Sequence, residues 1–159
     1  MDNNTYINIL TDTLNKKHLL LDKLLDITVL QEEYLNEPNF NMENFDQTLI
    51  EKEELINQIN QLDEGFEKIY THIQEELSTR RLEHKDQIVI LQGLIRKITD
   101  MSTKLQGNEL RIRSKMEIFL GNKKGEIKNF KINNQTASRY YQNMRNQQTG
   151  ESYFLDKKN

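Results

Sequence analysis

Any chemistry in this chain would have to start from three histidines and a set of paired carboxylates. His18, His72 and His84 lie far apart along the sequence. None has a second ligand at a metal spacing such as H-x-x-x-H. The carboxylate pairs, Glu53-Glu54 and Glu75-Glu76 among them, sit in charge-rich stretches where a solvated helix surface is the default. Cysteine is absent, which removes thiolate nucleophiles, disulfides and Cys-ligated zinc. No G-x-G-x-x-G, Walker-type loop or nucleophile elbow occurs. These residues predict no catalytic residues, no metal and no cofactor, and hence a protein that is not an enzyme.

The elements that would have to position such residues are helices. The 159 residues contain one Pro and six Gly, with 35% hydrophobic and 30% charged side chains. That composition favours long uninterrupted helices around a thin core over a turn-rich β fold. Three segments carry 3–4 periodicity. In the first, about 4–35, the stripe is Ile7, Leu10, Leu14, His18, Leu21, Leu25 and Thr28, widened by Leu20, Leu24 and Val29. Pro38 ends it, because proline lacks an N–H and disfavours helical geometry at Glu37.

The second segment, about 43–80, has Asn41 or Asn44 as candidate caps. Its stripe is Ile56, Ile59, Leu62, Phe66, Ile69, Ile73 and Leu77. The third, about 84–120, places Leu91, Leu94, Ile98, Met101, Leu105, Asn108, Ile112, Lys115 and Phe119 on one face and stops near Gly121, a suitable C′ residue. The stretch from Ser78 to Lys85 has neither Gly nor Pro, so the second and third segments could also run on as one helix.

Segments of matched length joined by short connections predict an all-α fold: an elongated antiparallel three-helix coiled-coil bundle over residues 1–120. Residues 121–159 form a basic C-terminal arm, expected to be flexible or to carry a short helix at about 134–147. The arm has a net charge of +5, so the remaining 120 residues carry −8, and residues 43–80 alone carry −7. The arm can therefore lie back on the acidic second helix or wait for a partner. The N-terminus has acidic and amide residues where a secretory signal would be basic and then apolar. No run approaches the roughly 18 apolar residues of a membrane span. The expected location is the cytoplasm.

Three kinds of partner fit the arm. Its cations with Phe130, Tyr140 and Tyr141 could contact nucleic acid, but the acidic body opposes a phosphate backbone. Ile127, Phe130 and Lys131 could begin an anionic-surface helix, but the Asn- and Gln-rich stretch that follows lacks apolar residues. Protein recognition fits best. Tyr140, Tyr141 and Met144 form an amphipathic cluster if helical, and Tyr153, Phe154 and Leu155 a second one. Large rigid side chains of this type bury area at low entropy cost. A thin bundle also leaves a groove uncovered for a partner's amphipathic helix. The plain alternative is a structural homo-oligomeric coiled coil. The chain is expected to be a monomer or homodimer.

The Leu-rich first helix, the segment Glu51-Lys52-Glu53-Glu54-Leu55-Ile56-x-x-Ile59, the long third helix and the ending Tyr153-Phe154-Leu155-Asp156-Lys157-Lys158 together resemble FlgN-type flagellar export chaperones. The resemblance covers essentially the whole chain. It implies a small cytoplasmic chaperone that holds the terminal helical segments of hook–filament junction proteins. It would deliver them to the cytoplasmic domain of the type III export gate. Family members use a C-terminal amphipathic region for substrate and a tail tyrosine for the gate, for which Tyr140, Tyr141 and Met144 are the candidates here.

Overall fold

The computed structural model describes residues 2–121 and Phe154. Three helices follow one another: α1 (Asn3–Asn36), α2 (Met42–Thr79) and α3 (Lys85–Gly121). At 1.5 Å per residue each is roughly 50–57 Å long. A single 3-10 turn, Arg81–His84, separates α2 from α3.

Each start has a local cause. The Asp2 carboxylate accepts from the Thr5 N–H at 2.8 Å and from its hydroxyl at 2.7 Å, capping α1. Those two hydrogen bonds lower the Asp2 pKa below its ordinary value. Asn41 caps α2 by accepting from the Glu43 N–H at 2.9 Å. α1 stops at Asn36, with Glu37 extended just ahead of Pro38, as the proline geometry requires.

The break between α2 and α3 has no glycine or proline behind it. His84 sets it. The ring is buried, with Nε2 3.2 Å from Glu76 Oε1 on α2 and Nδ1 3.2 Å from Gln87 Oε1 on α3. Leu77 before the elbow and Ile88 after it are both buried in the same core. The chain therefore has to reverse here, and the side chains on either side hold it reversed.

The arrangement is up-down-up. Tyr6 stacks on His72 with ring centroids 5.5 Å apart, and Lys17 meets Asp63, so α1 and α2 run antiparallel. Glu32 and Asn36 meet Arg111 and Lys115 in ascending order, so α1 and α3 run parallel. α1 lies against both neighbours, whereas no Cα of α2 comes within 8 Å of a Cα of α3. The bundle is thus centred on one shared helix, and the groove between the backbones of the other two is bridged by core side chains of both.

The buried face of α1 is Ile7, Leu10, Leu14, Lys17, Leu21, Leu24, Thr28 and Gln31, an unbroken alternation of three and four. That is coiled-coil packing. It adjusts the expected stripe: Lys17 takes the place given to His18, Leu24 of the widened set is buried while Leu25 is only partly so, and Val29 is 45% exposed. On α2, Asp63 and Tyr70 are buried where Leu62 and Ile69 were expected. The burial of Lys17 and of Asp63 has one origin. A charged residue scores against a buried position by itself, but Lys17 Nζ lies 2.7 Å from Asp63 Oδ1, with side chains 3% and 8% exposed. The pair removes the objection to both. On α3, Ile88, Ile95, Ser102 and Met116 join the buried face, while Leu94 and Met101 are half-buried.

The apolar core has two parts. The larger runs from Ile7 to Leu24 on α1, from Ile56 to Leu77 on α2 and from Ile88 to Leu105 on α3. The smaller, at the far end, gathers Phe45, Ile112 and Met116, with Phe40 and Phe119 edge-to-face at 4.4 Å. No described helix is long and apolar enough to cross a membrane.

Two outcomes test this packing. Removing one partner of a buried pair strands the other charge. Asp63→Ala should therefore cost about 3 kcal/mol in urea unfolding. The double variant Lys17→Met with Asp63→Leu should return to within about 1 kcal/mol of the parent, or exceed it. A single variant as stable as the parent would show that the pair does not set the seam. The second outcome concerns pH. The Lys115 ammonium, which donates to Glu32 at 3.1 Å, holds the Glu32 carboxyl below its ordinary value of 4.5, and Arg111 adds to this. A depressed folded pKa contributes stability that is complete above about pH 4.5 and is lost as pH falls through the folded value. Glu32→Gln should flatten that acid limb in a stability–pH series while leaving its slope above pH 6 unchanged.

Candidate functional site

The groove between α2 and α3 is closed differently along its length. Toward the N-terminal half of α2 a polar chain spans it. Lys52 Nζ donates to Gln31 Oε1 of α1 at 2.9 Å and to the Glu109 carboxylate of α3. Gln31 Nε2 donates in turn to Thr48 Oγ1 at 2.9 Å, and the Thr48 hydroxyl donates to the Phe45 carbonyl. Lys52 is 4% exposed, so its charge is stabilised by these acceptors and not by water. The buried row of α3, running 88, 91, 95, 98, 102 and 105, continues at Asn108 and Ile112, and Glu109 stands beside it at its edge. Its carboxylate is placed there to meet Lys52.

Farther along α2 the groove is filled from elsewhere in the chain. Phe154, far beyond the end of α3, has no exposed surface. Its ring stands edge-on to Phe66, centroids 6.3 Å apart at 74°, and to Tyr70, 5.9 Å apart at 66°. Edge-to-face pairs of this kind add about 0.5–1.5 kcal/mol each beyond the area buried. Gln92 of α3, itself 4% exposed, donates from Nε2 to the Phe154 carbonyl oxygen at 2.9 Å. One residue of the arm is therefore held by α2 through its ring and by α3 through its backbone. This socket encloses an aromatic side chain together with its main-chain acceptor.

Of the residues that sequence assigned to partner binding, Phe154 is the one the structure describes. Phe130, Tyr140, Tyr141, Met144, Tyr153 and Leu155 lie outside the described residues, as does the short helix expected at about 134–147. Phe66, Tyr70 and Gln92 were not picked out as a site. Phe66 was read as ordinary core, and Gln92 carries no periodic signal. Only the arrival of Phe154 makes the three a unit.

Two further features flank the elbow. Glu76, Glu83 and His84 bring one donor atom each within 4.8 Å of one another. The sequence spacing hides this cluster because the 3-10 turn folds Glu83 and His84 back toward Glu76. Each His84 ring nitrogen already has a hydrogen-bond partner, so the cluster is accounted for as the polar lock of the reversal. Beside it, Arg81, Leu82, Lys85, Ile88 and Val89 line a cavity of about 200 Å³. Leu82 there is 87% exposed and Val89 48%.

No protein-family model, curated protein or solved structure matches the chain.

The polar chain gives a direct test. Glu109→Ala leaves the Lys52 charge with Gln31 as its remaining named acceptor. It should lower stability by about 2 kcal/mol, less than for a fully enclosed pair because the Glu109 side chain is 17% exposed. Glu109→Gln, which keeps an acceptor, should cost less than half as much. Equal melting temperatures for both variants and the parent would remove the polar chain from the account of how α2 and α3 are spaced.

Proposed function

We propose that this protein is a non-enzymatic helical binding protein of the cytoplasm, acting as a flagellar export chaperone. In this role it holds the terminal helical segments of hook–filament junction proteins and passes them to the cytoplasmic domain of the type III export gate. The observation that carries the proposal is the socket. The bundle leaves α2 and α3 apart, and the groove between them already takes an aromatic residue arriving from a distant part of the chain. A body of this form suits temporary capture of amphipathic segments. Such segments are disordered until assembly, and the cost of ordering them keeps affinity moderate enough for release.

The charge distribution supports the same division of labour. The second helix is acidic and the arm basic, and opposite charges of this kind favour association of an aromatic-bearing basic segment with the body. Phe130, Tyr140, Tyr141, Met144, Tyr153 and Leu155 are the residues proposed to contact partners, with Phe154 as the point at which the arm is fastened to the body. The resemblance to FlgN-type chaperones supplies the flagellar identity of the partner.

The test keeps Phe154 in place. Phe130, Tyr140, Tyr141 and Met144 are changed together to alanine in the full chain. Far-UV helicity should stay within a few per cent of the parent. Capture of the terminal segments of a hook–filament junction protein from the same organism should fall at least about tenfold, equivalent to about 1.4 kcal/mol. Capture at the parental level would sink the arm's role, and no capture by the parent chain would sink the flagellar assignment.

A further inference from the structure

We infer that the socket formed by Phe66, Tyr70 and Gln92 is a peptide-binding site, that Phe154 is its built-in ligand, and that a partner segment with an aromatic anchor in a basic stretch takes the same seat by displacing it. This deepens the reading above and rests on it for the partner's role, though not for the site itself. The seat differs from the rest of the core in where its occupant comes from. The other residues of this core belong to α1, α2 and α3, whereas Phe154 is a helical residue far beyond the end of α3 that joins the same core with no exposed surface.

The contacts also have the form of peptide recognition. Rings from one helix take the side chain, and a buried amide from the opposite helix takes the main-chain carbonyl. A main-chain carbonyl is offered by every peptide, so the Gln92 contact does not depend on this chain's own sequence. Selectivity comes from the aromatic seat and from charge. Residues 43–80 carry a net −7, and Phe154 is followed by Lys157 and Lys158. The class of ligand is thus a short segment with Phe or Tyr as anchor and cations close by.

Phe154 is joined to α3 through residues 122–153, so its docking is intramolecular. A tethered segment competes at an effective concentration of the order of mM, and a free peptide must overcome this to enter.

The experiment supplies the ligand in trans. A fluorescent peptide of residues 149–159 is titrated into the full-length Phe154→Ala chain, into the unaltered chain, and into Phe154→Ala combined with Gln92→Leu, with anisotropy as the readout. The Phe154→Ala chain should bind the peptide at least tenfold more tightly than the unaltered chain, whose seat is filled. A peptide carrying Phe154→Ala should lose that binding, as should the Gln92→Leu combination, and added salt should weaken it. If Phe154→Ala disturbs helicity, Phe154→Leu keeps apolar bulk while losing the ring contacts and should give the same ordering with a smaller ratio. Equal affinity of the peptide for the opened and unaltered chains overturns the inference, as does no binding to an opened chain that retains its helicity. No flagellar protein enters the experiment, so this site and the flagellar assignment can fail separately.

Discussion

The whole molecule depends on α1 having to serve two partners with one narrow face. Its buried residues alternate in threes and fours from Ile7 to Gln31, a seam wide enough to seat α2 on one flank and α3 on the other. The backbones of α2 and α3 stay farther from each other than either does from α1, and the two helices meet through side chains. The groove is therefore a consequence of the packing of α1, and whatever fills it is supplied by side chains that reach across or by a segment from outside the three helices. Both solutions are used: Lys52 with Glu109 in one half, Phe154 in the other.

Polar residues in the seam decide which register the helices adopt. An apolar seam of Leu and Ile tolerates sliding by a heptad with little penalty, whereas a buried charge out of register has no partner. Lys17 against Asp63 and Gln31 against Thr48 and Lys52 occupy two separate levels of the α1–α2 interface. A slide by one heptad would strand at least two buried charges. The spacing of these levels, fourteen residues apart on α1, also keeps the helices aligned over most of their length. Specificity of register is the best-attested use of such groups, and here it has the further effect of fixing where Phe66 and Tyr70 stand opposite Gln92.

The fold class could be read from the sequence because it rests on signals that are local and repeated: the 3–4 spacing, Pro38, the Asn41 cap and the shortage of glycine. The phase of the buried faces was harder to read. Lys17 and Asp63 replaced His18 and Leu62 at buried positions, because a single-residue hydropathy argument cannot see that two charges on different helices will meet; Tyr70 replaced Ile69 where it meets Phe154. The elbow was ambiguous for a related reason. His84 stops α2 through contacts with Glu76 and Gln87, and a contact across a chain reversal leaves no mark on local propensity. Part of the site was legible and part was not. Phe154 stood out as an aromatic residue without a local core, whereas its seat is made of residues that look like ordinary core and an ordinary polar position.

An anchor whose ring stands against Phe66 and Tyr70 and whose carbonyl takes the Gln92 amide can be exchanged for another peptide's without rebuilding the seat. Edge-to-face pairs contribute about 0.5–1.5 kcal/mol each beyond the area buried, and a net hydrogen bond about as much. A tether at mM effective concentration favours the built-in anchor, and a competing segment of micromolar affinity can replace it. The ring meets α2 and the carbonyl meets α3, so both helices sense whether the seat is held by the chain's own residue. The residues that seat Phe154 can then report, by giving it up, that a partner has arrived.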